Sequence, residues 1–309
     1  MNPLQAFLDQ QGFVMLDGAL ATELEKHGAD LSNELWSAQT LIDAPEIITA
    51  VSYEYLAAGA DIIATATYQA SFKGFDKAGF DHGQARSLIQ LSVDLALLAR
   101  ENFWSQQGNR RGRLRPLVAA SVGPYGACLA DGSEYHGDYG LSKQELIDFH
   151  RPRLALLASS RADILAFETI PSLLEAEALI ELLTEFPDRK AWLSFSCKNE
   201  TQVCHGESFA DCAALAGSSD QILAVGINCT MPQYVSPLLR SSSLNKPFAV
   251  YPNSGEEWVS SERRWTGKSF DGLNVTEWYD AGARLIGGCC RTSPADISRM
   301  KAELIAHIA

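Results

Sequence analysis

Ala281-Gly282-Ala283-Arg284-Leu285-Ile286-Gly287-Gly288-Cys289-Cys290 holds one whole repeat of the fold. Ala-Gly reads as a helix closed by a left-handed glycine. Residues 284–286 read as a short buried strand. In an extended backbone neighbouring side chains point to opposite faces. Cys289 and Cys290 reach one point only if the chain bends there, and Gly287-Gly288 supply that freedom. The same junction, Ala58-Gly59-Ala60-Asp61, precedes another apolar run, and Ser160-Arg161-Ala162-Asp163 is a weaker copy.

Working outward, short apolar runs recur at 13–16, 61–67, 117–122, 164–167, 191–196, 222–227, 248–251 and 284–286. Between them lie segments with helical spacing. Leu88, Leu91, Leu95 and Leu98 form one stripe, and Ile297, Met300, Leu304 and Ile308 another. Ser142 with Glu145 and Ser172 with Glu175 fit capping boxes, and Ser293-Pro294 fits an N-cap with proline in the first turn. Strand then helix, repeated along the chain, predicts an α/β fold: one TIM-type (β/α)8 barrel, a single domain over 1–309. A doubly wound sheet is the rival, but no G-x-G-x-x-G follows the first strand. Two long connections, 124–141 and 254–272, both follow strands and so belong to the catalytic face.

The chain has 309 residues and a net charge of −13, which argues against nucleic acid and anionic membrane surfaces as partners. Its seven cysteines are an odd number scattered through a long chain, unlike a secreted disulfide framework. Neither a signal peptide nor a membrane-spanning run is visible, so a cytoplasmic protein is expected, a monomer or small homo-oligomer.

Working residues of such barrels sit at the carboxyl ends of strands. There the sequence places Asp17-Gly18-Ala19, Thr67, Tyr125, Glu168, Asn228-Cys229 and Cys289-Cys290. Asp17-Gly18 also reads as a plain turn and Thr67 as an ordinary strand residue. Cys289-Cys290 also reads as a vicinal disulfide or as packing. Glu168 ends an apolar run, where a carboxylate needs a partner or a function. Cys229, Cys289 and Cys290 together, at two strand ends, suggest a metal held by sulfur with one position open. Thiolate ligands without a redox motif point to zinc. Three thiolates make zinc a poor Lewis acid but a good holder of a fourth sulfur as thiolate. The reaction that follows is attack of that sulfur on an electrophilic carbon, a methyl group in the simplest case.

Taken together, Leu16-Asp17-Gly18-Ala19, Thr67-Tyr68-Gln69-Ala70, Phe167-Glu168-Thr169, Gly226-Ile227-Asn228-Cys229 and Gly287-Gly288-Cys289-Cys290 resemble the homocysteine S-methyltransferase family over nearly the whole chain. Ser121-Val122-Gly123-Pro124-Tyr125-Gly126-Ala127 and Tyr251-Pro252-Asn253-Ser254-Gly255-Glu256 resemble the S-methylmethionine-dependent branch. The resemblance implies a one-domain barrel with Cys229, Cys289 and Cys290 on one Zn2+. It implies that Asp17 and Glu168 hold the L-homocysteine ammonium. Backbone near Gly18 and Ala19, with Thr67, would take the carboxylate, and Asn228 would complete the acceptor site. The cationic sulfonium donor would be S-methylmethionine or S-adenosylmethionine. Tyr125, Glu134 and Trp258, on the two long loops, are its candidate contacts by charge and cation–π attraction. The alternatives are a betaine-dependent homocysteine or selenocysteine methyltransferase, or a non-catalytic zinc-binding barrel.

Overall fold

The structure, a computed structural model, describes residues 2–31, 35–129, 131–259, 264–266 and 273–309. Strands β1 (Val14–Met15), β2 (Ile62–Ala64), β3 (Leu117–Val122), β4 (Ile164–Ile170), β5 (Ala191–Phe195), β6 (Ile222–Asn228) and β7 (Phe248–Tyr251) follow in turn. A hairpin, β8 (Glu257–Val259) and β9 (Arg264–Thr266), precedes β10 (Ala283–Ile286). Eight strands form one sheet in the order β1-β10-β7-β6-β5-β4-β3-β2, each pair parallel. This is the (β/α)8 barrel expected. The antiparallel hairpin β8–β9, inside the long connection after β7, was not anticipated.

β1 and β2 end the strand order, and aspartates stitch the seam between them. Asp61 N–H donates to Met15 O at 2.7 Å and Met15 N–H donates to Asp61 Oδ2 at 2.9 Å. One step higher, Ala64 N–H donates to Asp17 Oδ2 at 2.7 Å. A two-residue strand cannot satisfy a full ladder, so side chains replace the missing carbonyls.

Period-two alternation sorts the strand residues. Ile63, Val118, Leu165, Leu193, Val225 and Val250 face outward and pack under the helices. Val14, Ile62, Ala119, Ala166, Trp192, Ala224, Ala249 and Leu285 fill the interior, closed below by Leu4 and Phe7. Continuing the inward parity upward gives Ser121, Glu168, Ser194, Asn228, Tyr251 and Cys289. The barrel is thus apolar below and polar at its mouth. Gly226 is needed where β6 meets β7, because a Cβ there would lie 1.7 Å from Ala249 O.

Helix boundaries follow the local signals. Gly59 and Gly282 close helical segments with φ of 119° and 101°. Ser142/Glu145 and Ser293/Asp296 form reciprocal capping boxes. Ser172 caps its helix through Glu175 N–H, but the Glu175 side chain turns inward, so the expected reciprocal box is absent. The leucine stripe holds in part: Leu95 is buried, and Leu88 and Leu91 pack partly buried against the core. The helix His82–Ser105 buries Ala85, Ile89, Val93, Ala96, Ala99 and Phe103. Leu98 is the exception, 49% exposed. Ile297, Met300 and Leu304 are buried as expected, while Ile308 is exposed. Among the described residues no helix is long and apolar enough to cross a membrane.

Candidate active site

Cys229 leaves the top of β6, and Cys289-Cys290 follow β10. Their sulfurs all lie within 4.8 Å of one another. Cys229 Sγ is 3.7 Å from Cys290 Sγ, which is 4.0 Å from Cys289 Sγ. Tetrahedral coordination with zinc–sulfur bonds of about 2.3 Å would set neighbouring sulfurs about 3.8 Å apart. The trio therefore fits such an ion with little rearrangement. Cys289 and Cys290 are free thiols in this structure. Hydrogen bonds from Cys229 and Cys290 hold the Cys289 thiol well below its ordinary range, and the same contact with Cys289 pushes Cys229 up.

The backbone around the trio is held in an unusual shape. Among the described residues the non-glycine positions with positive φ are Thr169, Cys229 and Arg291, at 62°, 49° and 66°. All three follow or flank a site residue. Conformations of this kind persist only where surrounding contacts over-determine them. Thr169 N–H donates to Asn228 Oδ1 at 2.7 Å, and Arg291 N–H donates to Thr22 Oγ1 at 3.2 Å. Glycine is required beside them: a Cβ on Gly288 would meet Thr292 Oγ1 at 2.2 Å.

Acidic groups ring the sulfurs. Burial pushes Asp17 up to about 7, against the Ala64 N–H bond that lowers it. Burial pushes Glu168 up to about 8, although the Ser121 hydroxyl donates to its Oε1. Burial takes Glu134 to about 7, and its Oε2 has no partner among the described residues. Among the described residues, none of the groups named as acting on these three carboxyls is a cation. Buried acids so placed are short of one positive charge.

The remaining expected residues fall into place unevenly. Thr67 is fully buried and donates its hydroxyl to Ser121 O at 2.6 Å. Ala19 N–H donates to Thr292 O at 3.1 Å. Gly18 precedes Ala19, the N-cap of the helix Leu20–Lys26. Asn228 is 1% exposed, with its amide engaged by Thr169, Ser194 and Cys289. Tyr125 turns toward Lys73, whose Nζ is 3.0 Å from its hydroxyl and 5.1 Å from its ring centre. Trp258 belongs to β8, but its side chain lies outside the described residues.

Two further tyrosines face the sulfurs: Tyr68, which stands in the Thr67–Ala70 motif, and Tyr135, one of the aromatic residues the long loop 124–141 offers to a donor. Tyr135 Oη is 3.5 Å from Cys229 Sγ. Tyr68 is enclosed near Glu134, Cys229 and Thr169. Tyr68 follows Thr67 at a strand end, and Tyr135 follows Glu134 in the long loop.

Comparison with known proteins bears on this site. The family model described as homocysteine S-methyltransferase matches residues 14–304. Homocysteine S-methyltransferase YbgG of Bacillus subtilis is 49% identical over 307 residues, covering 98% of each chain. Selenocysteine Se-methyltransferase of Brassica oleracea var. italica is 44% identical over 311 residues, covering 96% of this chain and 90% of that one. The metallated form of the homocysteine methyltransferase MmuM from Escherichia coli superposes with a TM-score of 0.87 at 44% identity, covering 98% of this chain and all of that one. With the sulfur trio and the barrel that frames it, these matches show that the chain belongs to the homocysteine S-methyltransferase family.

Proposed function

We propose that the chain transfers a methyl group from a sulfonium donor, in the first place S-methylmethionine, to the thiol of L-homocysteine, with one zinc ion on Cys229, Cys289 and Cys290. The observation that carries this reading is one mouth in which a three-sulfur cluster meets three buried carboxyls that have no cationic neighbour among the described residues. Bound zinc would make the acceptor sulfur a thiolate at neutral pH while leaving it nucleophilic.

The chain's own residues do the rest. Asp17 and Glu168 take the acceptor's ammonium, which restores the charge balance their burial lacks. The Gly18 N–H is the first candidate for its carboxylate, since the Ala19 N–H and the Thr67 hydroxyl are engaged within the protein. Asn228 holds the turn that presents Glu168 and Cys229. Glu134, with Tyr68 and Tyr135, offers a negative and aromatic wall to a methylsulfonium. Tyr125 and Trp258, the other two loop residues the sequence offered, remain proposed donor contacts to be tested by substitution. The donor's leaving group is a neutral thioether, so no proton has to reach it. The rate then depends on alignment of two sulfurs about one methyl group and on exclusion of water. With S-methylmethionine as donor, both products are methionine. All seven cysteines are free thiols, which suits a reducing cytoplasm.

A donor panel of S-methylmethionine, S-adenosylmethionine and betaine, run against homocysteine with metal analysis of the same sample, tests this. The expected result is about one zinc per chain and preference for the sulfonium donors. Cys229→Ser should lose metal and activity together. Preference for betaine, or full activity in Cys229→Ser, would overturn the assignment. The likeness to a selenocysteine methyltransferase favours a second acceptor, since a selenol fits the same cradle. Selenocysteine belongs in the same assay.

A further inference from the structure

We infer that a directional hydrogen-bond chain inside the barrel, from Trp192 through Tyr251 and Ser194 to Asn228, aims an amide N–H at the Cys289 sulfur and so positions that sulfur for metal. This deepens the reading of the thiols as a metal centre and rests on it.

Direction is forced from both ends. An indole only donates. Trp192 Nε1–H donates to Tyr251 Oη at 2.8 Å. At the far end Thr169 N–H, also only a donor, is 2.7 Å from Asn228 Oδ1, so that atom is the amide oxygen. Ser194 Oγ lies 2.9 Å from the same oxygen and must therefore donate to it. Its single proton being committed there, Ser194 accepts from the Tyr251 hydroxyl, with which it is in close contact and which Glu168 also engages. The remaining Asn228 group is the NH2. It donates to Thr169 Oγ1 at 2.8 Å and points at Cys289 Sγ at 3.9 Å.

Every link is buried: Trp192, Ser194, Asn228 and Tyr251 are 2%, 0%, 1% and 5% exposed. A reversed amide would set two donors against each other at Thr169. An N–H bond to a metal-bound sulfur draws charge from it and holds its rotamer. Outer-shell contacts of this kind change metal affinity by about 10- to 100-fold. Trp192, Tyr251 and Ser194 are thus positioning residues acting through Asn228.

The test uses substrate-free protein, because Tyr251 also faces Glu168. Zinc affinity is measured by chelator competition for wild type, Tyr251→Phe, Trp192→Phe and Ser194→Ala. The thiolate-to-cobalt charge-transfer band is recorded on the Co2+ forms. Wild type should bind zinc, with Tyr251→Phe weaker by about tenfold or more and its cobalt band shifted. Trp192→Phe should move in the same direction by less. Ser194→Ala, a smaller change at the middle link, decides the matter should Tyr251→Phe not fold. Zinc on wild type with unchanged affinity and an unshifted band in the variants would overturn the inference alone. No zinc on wild type would overturn the metal reading and this inference with it.

Discussion

At the scale of single residues, the mouth is defined by acids in an environment built for their neutral forms. Asp17 and Glu168 titrate at about 7 and about 8. Ordinary carboxyls titrate near 4. The sign of the consequence is fixed. Between about pH 4 and pH 8 the folded chain binds more protons than the unfolded one, so these groups make stability fall as pH rises. The metal-free, ligand-free protein should lose melting temperature between about pH 5 and pH 8, and Glu168→Gln should flatten part of that slope. A slope unchanged by Glu168→Gln would remove Glu168 as its source. A cationic ligand acts in reverse, since its ammonium favours the ionised acids. Methionine, which has an ammonium but no thiol proton, should bind more tightly as pH rises from about 6 to 8, with release of protons. Calorimetry in buffers of different ionisation enthalpy reads that release; identical heats in all buffers would contradict it.

At the scale of elements, the instructive case is Glu175. Serine three residues ahead of glutamate is the usual sign of a reciprocal cap, yet Glu175 is fully buried. Its Oε1 accepts from Tyr125 N–H at 2.6 Å and from His150 Nε2 at 2.9 Å. His150 in turn accepts at Nδ1 from Arg153, 3.0 Å away. Burial pulls the His150 pKa down, in keeping with a neutral ring that donates on one side and accepts on the other. Arg153 also donates to Gly123 O at 2.6 Å and to Tyr68 O at 3.2 Å. The helix Lys143–Ala158 thereby grips the loops after β2 and β3 that frame the mouth. Arg153→Met would leave Glu175 buried without its cation and should cost about 3–5 kcal/mol. A urea midpoint equal to wild type would show that the network adds nothing. The local pattern of Ser172 and Glu175 was legible; the tertiary partner that outcompeted it was not, because it comes from another helix.

At the scale of the molecule, the seam decides whether the barrel closes. Asp61 is 2% exposed. It accepts from Met15 N–H, and from Gln11 Nε2 at 2.6 Å. Lys301 Nζ lies 3.2 Å and Arg113 3.7 Å from its other oxygen. One carboxylate thus ties together β1, β2, the last helix and the chain before β3. Asp61→Asn would leave two cations facing an uncharged amide, at a cost of about 3–5 kcal/mol. The expected readout is a clear fall in urea midpoint, larger than for an exposed pair such as Arg161–Asp94. Equal shifts for the two substitutions would mean that the seam is held by strand packing alone.

Sequence by itself determined the barrel and its chemical content. Strand parity, glycine-closed helices and side-by-side cysteines are local signals, set by backbone geometry within a few residues. It did not reveal that Leu98 of the helix His82–Ser105 lies outside the buried face, the hairpin β8–β9, or the inward turn of Glu175. Nor did it show that Tyr135 rather than Tyr125 reaches the sulfurs. Those outcomes depend on partners far away in the chain. A buried polar group takes whichever partner the closed fold brings within hydrogen-bond reach, and only the closed barrel brings β4, β5, β6, β7 and the end of β10 around one point.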